Sequence, residues 1–519
     1  MNRRQAGPSD GDLLGAILAT ATSATASSAP KPPYYDLKTA PSSPISQPHT
    51  PQFVSYSFEP AFWTEFFGEP SSPRNLTFTL LNHLHARGAR PIVRTGGITM
   101  DSMTYNPNLT LSAVRTENGK GGIYRTTGLA AAAYTHQRGK IAYYELGNEP
   151  TNYPTARWQG STAAYVSQWR NFTSQIDISS THNASHGKWW ASSATTDVTP
   201  LKVRPSDLIP AGINSTGQVG QYSIHSYAFA TCDPARDRLA TTANVLNHTS
   251  LLRYADVEIY PSAKAAMDTG AQWVVGEFNS IACSGKPGVS DTFAQALWTA
   301  DVELIYAVRN ASSVHLHQGA TLLFQSNQQS NTPGDDGTPG FSSYSLLYPV
   351  NSTKRGEARV LPVFVSQLLV VEALAGGGRI AALKTPKGVD EEGFAAYGVF
   401  TSTSASGKGK DKGIIVRDEV KKEKRGEALA RLVVLNMKPY YADSTVARGT
   451  VWLDIGEHRG ATVKRMTAPS VDEKDAARVT WAGQSFRDGK AVGDVVVENL
   501  GPNERVSVKE SEGVLVTFK

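Results

Sequence analysis

The sequence predicts an α/β fold, a (β/α)8 barrel followed by a C-terminal β-sandwich. Three observations carry that expectation. Short β-rich runs alternate with longer helical runs from about Pro51 to Ala375, the pattern of a parallel sheet with crossover helices. From Gly376 onward the rhythm changes to strands alone, as in a sandwich. The chain has 519 residues, 40% of them apolar and 9% aromatic, which is ample for packed cores and rules out disorder over most of its length. So long an alternation points to a barrel rather than an open sheet. The expected division is 1–50 as a low-complexity tail, 51–376 as the barrel and 377–519 as the sandwich.

The tail is rich in Ala, Ser, Thr and Pro and ends in SSPISQPHTP. After it the predicted elements are the strand Phe53–Phe58, the helix Asn75–Arg87 behind a Ser-Ser-Pro start signal, and the strand Arg90–Thr95. The strand Ile141–Leu146, the helix Ser161–Ser174 and a strand over Lys188–Ser193 follow. Next come the strand Gln221–Phe229, a helical stretch over Ser250–Thr269, the strand Gln272–Phe278 and the helix Thr292–Asn310. The strand Ser313–His317 and the helix Val363–Ala375 close this part. The sandwich strands are expected at Phe394–Phe400, Leu429–Met437, Thr450–Ile455, Val463–Thr467, Val479–Trp481, Val495–Asn499 and Val514–Phe518. The charged run Gly407–Glu427 mixes both signs and reads as a solvated hairpin insertion.

Charge and composition exclude several classes. A net charge of +5, with no long basic stripe, gives nothing to track nucleic-acid phosphates, so no nucleic-acid partner is expected. No run of about 18 apolar residues is present, so no membrane-spanning helix is expected. Near the N-terminus, Arg3 and Arg4 precede the apolar stretch Leu13–Ala19, which resembles a secretory signal marred by Asp10 and Asp12. Eight N-x-S/T sequons, at Asn75, Asn108, Asn171, Asn183, Asn214, Asn247, Asn310 and Asn351, weigh toward a secreted glycoprotein. Two cysteines allow one disulfide and lack the cluster spacing of a zinc site.

Barrel chemistry sits where strands end. Glu149 stands in GNEP, directly after IAYYEL, and Glu277 near the end of QWVVGEF. A lone Glu there most often caps a loop or pairs with an Arg. Two carboxylates from different strands aimed at one pocket are what glycoside hydrolysis requires, one to protonate the leaving oxygen and one to attack or to activate water. His315 and His317 share one face of a strand, yet no third ligand falls at a telling spacing. They read as core or pocket-lining histidines, and no metal or cofactor is expected.

The strings FVSYSFEPAFWTEFFG, RTGGITMDSMTYNP, IAYYELGNEP, SIHSY and WVVGEFNSIACSGKPGVSDTF, in this order, resemble the fungal β-glucuronidases of glycoside hydrolase family 79. The resemblance runs from about Pro51 to the C-terminus and is weaker in the sandwich. It implies a retaining mechanism through a covalent glycosyl-enzyme, with Glu149 as general acid/base and Glu277 as nucleophile. It further implies that Tyr227 donates to the nucleophile and that Asn148 bonds the sugar 2-hydroxyl. Arg94, in RTGG, is a candidate positive charge beside Glu277; a barrel-end ion pair is its alternative. Glu59 is a candidate for holding ring hydroxyls, and for Asp101 a loop-capping role weighs equally. The loop Ser280–Asp291, with Lys286, corresponds to one that helps bind the uronate. Cys232 and Cys283 follow neighbouring strands, and a disulfide between them would brace the rim.

One departure stands out. Only Ile98–Lys140 separates the second strand from the GNEP strand, where a regular barrel needs a helix, a third strand and another helix. The segment offers GGIY at Gly121–Tyr124 and an alanine-rich helix over Gly128–Gln137, but no Val/Ile/Leu-rich buried strand. Two functions therefore stand from the sequence. The first is a secreted retaining exo-β-glucuronidase acting on glycans with terminal β-linked glucuronic acid or its 4-O-methyl ether. The second is a catalytically impaired or glycan-binding relative lacking a barrel segment; a different β-glycosidase of the same clan is the alternative within the enzyme class.

Overall fold

The computed structural model describes residues 34–36, 41–102, 114–116, 123–125, 140–175, 189–197, 199–319, 340–402, 415–416, 427–454 and 460–519. Its first part contains the strands β1 (Val54–Phe58), β2 (Val93–Thr95), β3 (Tyr144–Glu145) and β4 (Trp189–Ala194). β5 (Val219–Ser226), β6 (Gln272–Phe278) and β7 (Val314–Gln318) complete the set. They form one seven-stranded sheet, parallel throughout, in the order β2-β1-β7-β6-β5-β4-β3. Every residue of β1, β4 and β7 is buried, as expected when helices cover one face and packed side chains the other.

The covering helices are α1 (Asn75–Ala86), α2 (Thr162–Gln175), α3 (His248–Tyr254), α4 (Tyr260–Asp268), α5 (Phe293–Val308) and α6 (Phe364–Leu374). The single stretch expected over Ser250–Thr269 is thus two α-helices, joined by a π-helical turn at Ala255–Ile259. Thr292 caps α5 by accepting from the Ala294 amide, and all residues from Phe293 to Ala307 are buried. α5 and α6 lose their polar face because they lie between the barrel strands and the β-domain.

The ends of the parallel sheet, β2 and β3, are not joined by a backbone ladder. Instead Arg94 Nε on β2 donates to Glu145 Oε2 on β3 at 2.7 Å, so the sheet curls until its two edges touch through side chains. Of the eight strands of a full barrel, seven stand among the described residues, in keeping with the missing third strand that the short segment after the second strand suggests. Among the described residues the strands Val114–Thr116 and Ile123–Arg125 pair with each other, in a separate antiparallel two-stranded sheet. The alanine-rich helix expected over Gly128–Gln137 and most of the Gly407–Glu427 run lie outside the described residues.

Beyond α6 come β8 (Arg379–Ala382), β9 (Phe394–Ser402), β10 (Glu427–Asn436), β11 (Thr450–Asp454) and β12 (Ala461–Thr467). They are followed by β13 (Thr480–Trp481), β14 (Glu498–Leu500), β15 (Arg505–Lys509) and β16 (Glu512–Phe518). The larger sheet runs β8-β9-β10-β16-β12-β13, and a smaller one joins β11 and β15 to Tyr34–Asp36. Strand alternation divides the apolar residues between two cores. Phe394, Leu432, Val434, Val514 and Val516 face the smaller sheet with Leu453 and Val506. Their neighbours Ala395, Val433, Leu435 and Leu515 face the barrel helices instead. Glu372 on α6 ties the two parts together, accepting from Arg87 at 2.8 Å, Lys464 at 2.6 Å and the Trp481 indole at 2.9 Å.

The tail is shorter than composition suggests. Tyr34–Asp36 pairs in parallel with Trp452–Asp454, and the Ser42 and Ser46 amides donate to Ala382 and Ile380. Order thus begins before Pro51. The reason is that edge strands offer free backbone groups to any extended segment, a signal that side-chain composition does not carry.

Candidate active site

The C-terminal ends of the strands converge on a cleft of about 870 Å3, measured out to its open mouth. Glu59 follows β1, Asn148 and Glu149 follow β3, His225 and Tyr227 lie at the end of β5, Glu277 on β6 and His317 on β7. Glu149 and Glu277 do meet. Together with His225 Nδ1, a carboxylate oxygen of each lies within 4.8 Å of the others.

Glu277 is 6% exposed and held from several sides. Arg94 Nη1 donates to Oε2 at 2.8 Å, and the Tyr227 hydroxyl donates to Oε1 at 2.9 Å. Burial alone would raise its pKa; the charges of His317 and Arg94, with His225 beside them, hold it down to about 2. Glu149 goes the other way. Burial pushes its pKa well above the usual carboxylate range, and the negative charge of Glu277 adds to the rise. Its oxygens accept from Asn152 Nδ2 and meet His225 Nδ1, both at 2.9 Å. Glu149 has φ of +48°, a left-handed conformation uncommon for a residue with a side chain, imposed as its amide donates to Ser193 and its carbonyl opens the Pro150–Asn152 turn.

Arg94 uses all three of its nitrogens. Besides Glu277 and Glu145 it donates to Ser57 Oγ at 2.8 Å and, through Nη2, to Asn148 Oδ1 at 2.9 Å. Its two readings, ion pair and neighbour of Glu277, are thus the same arrangement. The two glycines of RTGG make room for it: a Cβ at Gly96 would stand 2.4 Å from the guanidinium carbon, and one at Gly97 2.5 Å from the Glu59 carboxyl carbon. Glu59 itself is buried, accepting from the Ile98 and Thr99 amides at 3.1 Å each.

The remaining candidates divide between the cleft and the loops that support it. Asp101 does not line the cleft; it accepts from the Tyr153 hydroxyl and the Asn148 amide and so braces the GNEP loop. Lys286 turns away and pairs with Asp237 at 2.9 Å. Cys232 and Cys283 are disulfide-bonded, with Cα atoms 5.9 Å apart, at the cleft rim. The two histidines of β7 part company. His315 packs edge-on against Trp190 in the sheet interior, and burial lowers its pKa to about 3. His317 reaches the cleft between Glu59 at 3.7 Å and Glu277 at 3.8 Å; burial would lower its pKa, but those carboxylates raise it.

Sequence reasoning missed Glu145 and His225. Glu145 anchors Arg94 and accepts from Ser193 Oγ, and its signal was a charged residue amid the apolar and aromatic residues of a predicted strand. His225, whose pKa burial lowers to about 4, stands in SIHSY two residues before Tyr227, on the same face of the strand by its period of two.

A curled parallel sheet with two carboxylates of opposite proton affinity at its C-terminal mouth has what glycoside hydrolysis requires, and its similarities place this chain among the glycoside hydrolases. Within that class the similarities found are to family 79. The glycosyl hydrolase family 79 C-terminal beta domain matches residues 424–515. A β-glucuronidase of Aspergillus niger is 25% identical over 89% of this chain and 88% of its own length. One of Neurospora crassa is 26% identical over 56% of this chain and 60% of its own. Among solved structures, a 4-O-α-L-rhamnosyl-β-D-glucuronidase from Fusarium oxysporum 12S superposes with a TM-score of 0.68 at 20% identity, covering 92% of this chain and 99% of that one. A family 51 α-L-arabinofuranosidase from Bifidobacterium longum gives 0.53 at 11% identity, covering 94% and 99%. These two show a shared fold.

Proposed function

We propose that this chain is a retaining exo-β-glucuronidase that removes terminal β-linked glucuronic acid, or its 4-O-methyl ether, from glycans. The observation that carries the reading is the carboxylate pair: oxygens within 4.8 Å, one group held ionised and the other kept protonated. Oxygens that approach this closely support direct attack by Glu277, the arrangement of retaining pairs, whose carboxyl groups stand nearer than those of inverting ones. Glu277 attacks the anomeric carbon as Glu149 passes its proton to the leaving oxygen. Glu149, now a carboxylate, then takes a proton from the water that releases the sugar. Asn148, fixed by Arg94, is set to meet the sugar 2-hydroxyl, and Tyr227 keeps its proton and donates to the nucleophile. The names of the relatives supply the glucuronic acid. Secretion is supported by the disulfide and by exposed sequon asparagines at 75, 171, 214 and 351; no helix among the described residues is long and apolar enough to cross a membrane.

Purified protein is expected to hydrolyse an aryl β-D-glucuronide with the β-anomer released first, read by NMR, and Glu277→Gln to abolish turnover. Activity should persist at acid pH, since Glu277 stays ionised down to about 2, and fall as pH rises through the raised pKa of Glu149. Turnover only of the aryl xyloside or glucoside would reassign the sugar. The sheet edges, which no backbone ladder joins among the described residues, favour one other reading, an impaired relative. Soluble, cooperatively folding protein that turns over none of these substrates would establish it.

A further inference from the structure

The cleft is graded in exposure. One end is blind and polar, walled by the buried Glu59, His317, Ser342 and Tyr344. The other is open, walled by Asn152, Asp197 and Arg236. Glu149 stands between, one oxygen on His225 in the floor and the other on Asn152 at the mouth. An acid that protonates the leaving oxygen must have the leaving group on its outer side, so the open end receives whatever the terminal sugar was attached to.

We infer that Asp197 and Arg236 form a leaving-group subsite that holds the second sugar of a glycan by its hydroxyls. This rests on the glycosidase reading above and extends it to the aglycone. Arg236 Nη1 donates to Asp197 Oδ1 at 2.9 Å. Asp197 Oδ2 and Arg236 Nη2 then remain without a partner among the described residues, an acceptor beside a donor. Two neighbouring sugar hydroxyls offer the complementary donor and acceptor, in the planar, two-point manner that suits a guanidinium and a carboxylate. An apolar aryl group offers neither. As a purely structural contact the pair would do little, because its side chains are 29% and 49% exposed and such pairs add little stability.

Its mounting argues for a positioned site. Arg236 lies on the short helix Pro234–Leu239, capped by Asp233, directly after Cys232. That segment is fastened to the loop after β6 by the Cys232–Cys283 bond, by pairing of Phe229–Ala230 with Ile281–Ala282, and by Lys286 on Asp237. Asp197 comes from the loop after β4, so the pair bridges two loops of the rim. A side chain held this firmly loses little freedom on binding a ligand. Asp197 also faces Glu149 closely enough to favour its protonated form.

The test compares 4-nitrophenyl β-D-glucuronide with (1→6)-linked β-D-glucuronosyl-D-glucose. In Arg236→Ala the ratio of kcat/KM for the disaccharide over that for the aryl substrate is expected to fall about 10- to 100-fold, mainly through KM, as for loss of a charge-assisted hydrogen bond. Arg236→Lys should restore part of it. Equal losses on both substrates, or wild-type enzyme that cleaves the aryl glucuronide and not the disaccharide, would overturn the inference. Failure on both substrates by folded wild-type protein would instead overturn the glucuronidase reading itself.

Discussion

The two sides of the curled sheet are built differently. On one side β5, β6 and β7 are eight, seven and five residues long and are joined by backbone ladders, with Cys232–Cys283 linking the loops above. On the other, β2 and β3 are three and two residues long and, among the described residues, meet through Arg94 and Glu145. A ladder holds a sheet whatever its side chains do. Where it is absent, the same guanidinium that spans the edge also fixes Glu277 and Asn148. Stability and catalysis should therefore be coupled on the open side and separable on the closed side.

The largest expected effect comes from Glu145→Ala. It leaves a buried Arg94 short of a partner, and breaking such a pair costs about 3–5 kcal/mol. Activity on the aryl glucuronide should fall with it, because Arg94 loses the anchor that aims it at Glu277. A denaturant midpoint within experimental error of wild type, with full activity, would mean that something else holds the two edges. Replacing Cys232 and Cys283 together by Ser should cost roughly 2–4 kcal/mol. Here the pH dependence of turnover should keep its shape, since neither sulfur touches the carboxylates; a shifted alkaline limb would show that the rim does tune Glu149. The smallest effect is expected for Ile224→Val, deep in β5, at about 0.5–1.5 kcal/mol with kinetics unmoved. Kinetics that track this loss would erase the distinction between the two sides.

Much of this was legible in the chain. The strand Gln272–Phe278 has the bounds its sequence suggests, because a run of bulky apolar residues bounded by Gly270 and Asn279 is buried on both faces and has few other options. The GNEP strand was read as six residues and is two, since pairing on only one side leaves no second ladder to extend it. β8 and β15 went unread for another reason: RIAA is only four residues long with small alanines, while RVSVK is short, more than half polar and pairs with a strand about fifty positions earlier. Of the site, the carboxylates were visible as charged residues in loop-end contexts. His225 and Glu145 were not, because a polar residue inside a buried strand declares a role only once its partner is known.

By itself the sequence determined the alternation of strand and helix, the change to strands alone after α6, the two glutamates and the shortness of the segment after β2. Each of these is local, written in periodicity, in turn residues or in chain length. Only the tertiary structure decided which glutamate is ionised, that Arg94 serves both the edge and the nucleophile, and that Lys286 turns away from the cleft. Those depend on burial and on charges from residues as much as 183 positions apart, and the strength of a charge is set by its surroundings.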